Sequence, residues 1–288
     1  MKESRSDAVF AGVLTAIMIL FAVVALIPLV NVLSLSLSSK VPVEMNRVNL
    51  LPVGLTTDSW SYIIGNEAMW RSFGLTVFST VTGVVLALFL NAIMAYPLSK
   101  TRFKPGRTIM ILVVGTMIFK APTVPYFLTL RSYGLYNSVL VLILPHILSA
   151  YNLAIMRTFF KQFPSEVEEA AEIDGCGSFQ TLIRIVLPSS KAVLATVGLF
   201  YGVAIWNQFQ HPMMFISKTE LYPLQLKIRQ LINAGGDITG MVVRSNVNYN
   251  ETTLGAAAVV FAIVPVVAVY PWLQKYFAKG AMLGSVKG

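Results

Sequence analysis

Charge is scarce in this sequence, and acid is missing from its apolar stretches altogether. Only 12% of the 288 residues are Asp, Glu, Lys or Arg, against 56% hydrophobic, whereas a soluble domain carries about 25% charged residues. A water-soluble globular domain is excluded, and a mean hydropathy of +0.70 places the chain among polytopic membrane proteins. None of the 13 acidic residues falls inside a long apolar interval, so the intramembrane carboxylates that a proton-coupled secondary transporter would use are absent. Cysteine occurs once, at Cys176, which rules out an intramolecular disulfide and any multi-cysteine metal site. His146 and His211 are isolated in the sequence and read as structural rather than as metal ligands. No G-x-x-x-x-G-K-S/T string occurs, so the chain has no P-loop for ATP. No internal repeat is visible either, which leaves an inverted-repeat transporter without support.

What is present is a set of long apolar runs. About 20 apolar residues cross a bilayer, and the intervals predict an all-α fold of six transmembrane helices at roughly 8–33, 74–98, 108–128, 138–158, 192–210 and 253–275. They read as a single transmembrane domain over 1–288. The first run is longer than the 7–15 residues of a signal-peptide core and lacks a small-x-small cleavage site, so it is expected to be a retained helix. The net charge of +9 would suit nucleic acid, but the basic residues gather at the ends of the spans. Short loops set orientation. The 99–107 loop holds Lys100, Arg102, Lys104 and Arg107 with no acid, while the opposing 129–137 loop holds only Arg131. Both termini and the 161–190 loop are therefore expected in the cytoplasm, with the 34–72 and 211–252 loops outside. The positive charge is topological, and no nucleic-acid partner is expected.

Proline interrupts most of the spans. Pro122 and Pro125 beside Lys120 read either as a broken helix lining a cavity or as a kink that serves packing. A lysine within a span costs about 2.5–3.5 kcal/mol on insertion scales. Lys120 either faces a pore, where it would suit an anionic sugar, or snorkels toward the outer surface. Aromatic rings stack on the apolar faces of sugars, which makes Tyr126, Trp206 and Tyr270 candidate pathway residues alongside Lys120. Most such rings serve packing or the interfacial belt.

The most informative stretch is the polar island between the fourth and fifth runs. Ser165 and Glu168 have capping-box spacing, and Glu166, Glu168, Glu169 and Glu172 crowd a helix N-terminus where the dipole favours them. Gly175 is placed to end that helix in a left-handed cap. A second helix is predicted from about Ser178, with Phe179, Leu182, Ile183 and Val186 forming an apolar stripe, closed by Pro188. Val167, Ala170, Ala171 and Asp174 share a face of the first helix. Four glutamates disfavour an anionic leaflet as its resting place and favour a protein partner.

Glu169-Ala170-Ala171, Asp174, Gly175, Ile185, Leu187 and Pro188 reproduce the spacing EAA–x3–G–x9–I–x–LP. This loop resembles that of ABC-importer permease subunits, and the chain is similar to carbohydrate permeases of the maltose-permease type. Ala95-Tyr96-Pro97-Leu98-Ser99, Trp206-Asn207, Leu221-Tyr222-Pro223-Leu224-Gln225 and Gln274-Lys275-Tyr276-Phe277 extend the likeness to the subgroup handling polysaccharide-derived oligosaccharides. The resemblance implies a type I importer permease fold in the inner membrane. It implies a coupling helix pair seated on a cytoplasmic ATPase, with Glu169 as the salt-bridging acid and Gly175 as the turn, and it adds Asn207 to the pathway candidates. It further implies a second permease subunit, two ATPases that carry the ATP and Mg, an external solute-binding protein and an oligosaccharide cargo. The chain itself would have no catalytic residue, metal or cofactor. Where the family has a Gly-rich stretch before the third-helix proline, this chain has Lys120-Ala121-Pro122-Thr123. A neutral sugar or another solute is the alternative cargo.

Overall fold

The computed structural model describes residues 5–119, 121–233 and 248–285. Among them the regular structure is helical, apart from one isolated bridge between Ser38 and Leu55. The helices in chain order are α1 (Arg5–Ser36), α2 (Lys40–Glu44), α3 (Asp58–Gly65), α4 (Glu67–Ser99), α5 (Gly106–Ile118), α6 (Thr123–Ser132) and α7 (Ala150–Lys161). They continue as α8 (Ser165–Ile173), α9 (Ser178–Thr181), α10 (Leu187–Ser189), α11 (Lys191–Trp206), α12 (Gln210–Phe215), α13 (Leu224–Asn233) and α14 (Glu251–Ser285).

Three of the six predicted spans are continuous: α1, α4 and the Glu251–Pro271 part of α14 are each long and apolar enough to cross a bilayer. The other three are broken, each at or beside one of the interrupting prolines. The axes of α5 and α6 differ by 118°, and Pro122 takes the extended cap position at φ −59°, ψ 148°, where it can donate no hydrogen bond backward. In the fourth span a 3-10 stretch, Val139–His146, contains Pro145 and meets α7 at 46°. The Ser149 side chain accepts from the Asn152 amide and restarts the helix. In the fifth, Ser178–Ser189 turns 85° into α11, whose 16 residues reach only about 24 Å at 1.5 Å each.

The chain divides into two units of dense internal contact. Met1–Trp70 with Lys227–Pro265 makes the first. Here α1 is apolar on every side, and none of its most hydrophobic window is buried within the chain, so its surface is left for lipid or a partner subunit. The segment after α1 is ordered by its own polar side chains. Ser34 Oγ donates to the Leu50 carbonyl at 2.7 Å, Ser38 Oγ accepts from the Val53 amide at 3.1 Å, and Trp60 Nε1 donates to Ser36 Oγ at 3.3 Å. The small residues Ala256, Ala257, Ala258 and Ala262 of α14 are buried, as close helix packing in lipid requires.

Arg71–Leu226 with Val266–Gly288 makes the second unit. Its core joins Ala87, Ala92 and Ala95 of α4 to Leu153, Met156 and Phe160 of α7, Val193, Val197 and Tyr201 of α11, and Leu182 and Val186 between α9 and α10. α4 and α11 approach closely at Gly83, where a Cβ would lie 2.6 Å from Ile205 Cδ1 and that methyl would have to move. Polar glue ties the same helices together. Asn91 Nδ2 reaches the Ala87 carbonyl at 2.7 Å, the Ile147 carbonyl at 3.1 Å and the Tyr201 hydroxyl at 2.8 Å, and that hydroxyl also accepts from the Ser149 amide. Interhelical bonds of this kind hold bundles in lipid without any hydrophobic drive between helices.

Candidate functional site

The polar loop folds as two helical segments joined at Gly175. Gly175 has φ +79°. Its amide donates to the Glu172 carbonyl at 3.1 Å, and the Cys176 amide donates to the Ala171 carbonyl at 2.9 Å. These two bonds are the paired 5→2 and 6→1 bonds of a Schellman cap, the ending expected for α8. The N-terminal end differs from expectation. Pro164 occupies the cap position and no side chain caps the helix, so the Ser165–Glu168 capping box does not form. Glu168 instead forms an ion pair with Lys100 at the end of α4, and the Lys100 ammonium lies 4.6 Å from the Tyr96 ring centre. An ammonium with two partners is a stronger claimant on the carboxylate than a neighbouring backbone amide.

The predicted apolar stripe of the second segment is split. The backbone opens into a π turn over Leu182–Val186, where the i→i+5 pattern shifts which residues stack. Thr181, Leu182 and Val186 enter the core, while Phe179 stays 61% exposed and Ile183 37% exposed. On α8, Ala171 is the inward residue at 4% exposed, and Ile173 at its end is 86% exposed. Ala170, Glu169, Asp174 and Gly175 also face outward, as does Pro188, while Ile185 and Leu187 are half-buried. The loop thus presents a mixed surface of Glu169, Ala170, Ile173 and Phe179 that the chain itself does not cover.

Because no neighbour lies within 4 Å of a Cβ built on Gly175, a substitution there acts through the backbone alone. Left-handed φ costs an L-residue about 1–2 kcal/mol, most for a β-branched one and least for asparagine. Gly175→Val is therefore expected to weaken the loop and any assembly that depends on it, whereas Gly175→Asn retains most of it. Co-purification of partner subunits with the two variants checks the ordering.

The pathway candidates have different surroundings. Lys120 lies outside the described residues. Tyr126 is half-buried, with its hydroxyl 3.2 Å from His211 Nε2 and its ring edge-on to Phe215 at 6.1 Å. Trp206 is 8% exposed and packs edge-on to Phe73 at 6.2 Å. Asn207 is exposed, and its side chain donates back to the Val203 carbonyl. Tyr270 stands largely exposed on α14. The two histidines that look isolated in sequence are neighbours, with ring centres 4.7 Å apart. Nearby, Gln208 Nε2 donates to the Leu142 carbonyl at 3.0 Å. His146 and His211 are 65 residues apart, and Tyr126 and His211 85 apart, so no spacing rule could reveal the cluster. Among the described residues no group of three or more His, Cys, Asp or Glu could hold a metal.

The chain as a whole is similar to known proteins. The profile of the family described as "binding-protein-dependent transport system inner membrane component" matches residues 1–282. The polygalacturonan/rhamnogalacturonan transport system permease protein YtcP of Bacillus subtilis (strain 168) is 36% identical over 290 residues, spanning 100% of both chains. Protein LplC of the same organism is 37% identical over 266 residues, 92% of this chain and 90% of its own. A solved crystal structure of a bacterial ABC transporter involved in the import of the acidic polysaccharide alginate contains a chain that superposes with a TM-score of 0.87. That chain is 33% identical, and the match covers 96% of this chain and 99% of the other.

Proposed function

The chain belongs to the family of binding-protein-dependent transport system inner membrane components, and on that premise we propose that this ABC-importer permease subunit forms half of the pathway for an acidic oligosaccharide. The cargo would arrive on an external solute-binding protein. A second, homologous permease subunit would supply the other half of the pathway. Two ATPase subunits would carry the ATP and Mg, and one of them would seat the 165–188 loop in its cleft. With four basic residues and no acid in the 99–107 loop, both termini and that loop lie on the cytoplasmic side in this reading.

The observation that carries the energy-coupling part is the loop surface itself. Glu169 and Ala170 are exposed beside Ile173 and Phe179, on a turn fixed by the Gly175 cap and tethered to α4 through Lys100 and Glu168. Exposed apolar side chains rimmed by acid on a braced turn form a docking surface for a cation-bearing cleft. For Glu169, Ala170, Ala171, Asp174, Gly175, Ile185, Leu187 and Pro188 the proposed roles differ by exposure. Glu169, Ala170 and Asp174 meet the ATPase, Gly175 sets the turn, Ala171, Ile185 and Leu187 anchor it, and Pro188 closes the second segment.

The acidic cargo is supported by the relatives, since one is named for polygalacturonan and rhamnogalacturonan and another assembly for alginate. Lys120, with no acid in its span to neutralise it, is the residue proposed to attract carboxylates. Uptake of acidic and neutral oligosaccharides of equal length, by wild type and by Lys120→Met, tests the assignment. A hydrogen bond to a charged group contributes about 1.5–3 kcal/mol, so Lys120→Met should lose about ten- to a hundredfold in uptake of the acidic sugar alone. Equal losses for both sugars, or none, would leave Lys120 as a snorkelling residue. Uptake of only the neutral sugar by wild type would refute the acidic cargo.

A further inference from the structure

The second unit, beside the point where the coupling loop is tied to α4, also carries a basic groove. It has a volume of about 680 Å³ and is bounded by the end of α4, the whole of α5 and the end of α7. Lys100, Lys104, Arg107, Arg157 and Lys161 line one end, and no acid lines any part of it. Lys100 is engaged by Glu168, and Arg157 Nε donates to the Leu98 carbonyl at 2.8 Å. Among the described residues no carboxylate comes within 4.0 Å of Lys104, Arg107, Arg157 or Lys161. Four cations thus converge on a concave surface with no anion to balance them.

The other end of the groove is apolar and has a register. Arg107, Ile111, Val114 and Ile118 follow one another at i, i+4, i+7 and i+11, one face of a helix. Ile111 is 63% exposed and Ile118 73% exposed. From Arg107 to Ile118 the helix rises about 16 Å at 1.5 Å per residue, close to half of the ~30 Å hydrocarbon core. Gly115 lies on this track, and a Cβ built there meets nothing within 4 Å. The basic mouth belongs to the 99–107 loop that the proposed topology puts at the cytoplasmic membrane face, and with an apolar track one leaflet deep it matches the two ends of a single kind of molecule.

We infer that this groove binds an anionic glycerophospholipid, its phosphate held by Lys104, Arg107, Arg157 and Lys161 and one acyl chain laid along Ile111, Val114 and Ile118. Basic pockets between helices at the cytoplasmic face are a recognised form of anionic headgroup site. A soluble anion would gain nothing from the apolar track, and a neutral lipid nothing from the four cations. The site sits beside Lys100, so an occupied groove would stiffen the α4 end to which the coupling loop is tied. The inference goes beyond the transport reading and does not depend on which sugar is carried.

The test uses the assembled importer in nanodiscs of phosphatidylcholine, with or without about one-third phosphatidylglycerol, then extracts it in mild detergent and measures retained lipid by native mass spectrometry. Wild type should retain phosphatidylglycerol in clear preference to phosphatidylcholine. Each cation removed near an anionic leaflet is expected to cost about fivefold in retention, so the Lys104→Gln, Arg107→Gln, Lys161→Gln triple variant should lose on the order of a hundredfold. Gly115→Leu, which fills the track without touching the cations, should lower retention while the complex still assembles. Equal retention of both lipids by wild type would overturn the site even if no variant could be made. If Gly115→Leu prevents association with the second permease subunit, the groove is a protein interface and the lipid assignment fails.

Discussion

Glu169→Lys is expected to abolish cargo-stimulated ATP hydrolysis and uptake by the assembled importer, while membrane insertion and the fold of this chain stay intact. The carboxylate stands exposed on α8, opposite the inward Ala171. Within the chain, no described cation lies within ion-pair distance of it. An exposed residue with no intrachain partner can be changed at a cost within about 0.5 kcal/mol of folding stability. At an interface the same change costs far more. Removing one partner of a buried charge pair costs about 2–5 kcal/mol, and reversal adds like-charge repulsion, so coupling should fall by a hundredfold or more. Glu169→Gln should fall in between. ATPase activity in proteoliposomes, with the amount of co-purified ATPase measured alongside, separates failed docking from failed signalling. A Glu169→Lys complex that still couples hydrolysis to uptake would remove Glu169 from the interface.

Lys100→Glu is the second large effect. It sets two carboxylates against each other at the half-buried contact between α4 and α8 and removes the cation from the Tyr96 face. The loop should detach from its brace, and stimulated ATPase activity should drop at least tenfold. Adding Glu168→Lys to Lys100→Glu reverses the pair rather than destroying it, so most of the activity should return. The cation–π contact with Tyr96 is not restored in full, and recovery should stop short of wild type. Such a cycle isolates the pairwise contribution because the two residues touch each other directly. A double variant no better than Lys100→Glu alone would mean that the contact between these two residues does not hold the loop.

Why some of this was readable in the sequence and some was not follows from the range of the forces involved. Gly175 was readable because left-handed backbone at the end of an acid-rich helix is a position for glycine, and the fixed spacing from Glu169 to Pro188 identified the loop and its family. The six apolar intervals were readable because lipid demands them. The breaks were only partly so. Pro122, Pro145 and Pro188 mark where a backbone donor is missing, but the 118°, 46° and 85° bends depend on what the neighbouring segments supply in its place. The π turn at Leu182–Val186 has no sequence signature, and it splits the apolar stripe, burying Leu182 and Val186 while Phe179 and Ile183 stay exposed. Lys100 with Glu168, and His146 with His211, are encounters between distant parts of the chain. Trp206 reads as a sugar-stacking ring from its type alone, yet in this chain it is packed against Phe73.

The most direct measurement of the account is cross-linking from the loop in an assembled, transporting complex. With Cys176→Ser removing the native thiol, single cysteines are placed by Ile173→Cys and Phe179→Cys on the exposed loop, and by Tyr133→Cys at the exposed C-terminal end of α6. A short bismaleimide should join Ile173→Cys and Phe179→Cys to the ATPase subunit, in yields that change when cargo-loaded binding protein and ATP are added. Tyr133→Cys, expected on the opposite face of the membrane, should give no such product. Transport-competent complexes in which neither loop position reaches the ATPase, or in which Tyr133→Cys does, would contradict the assignment of the 165–188 loop as the coupling site.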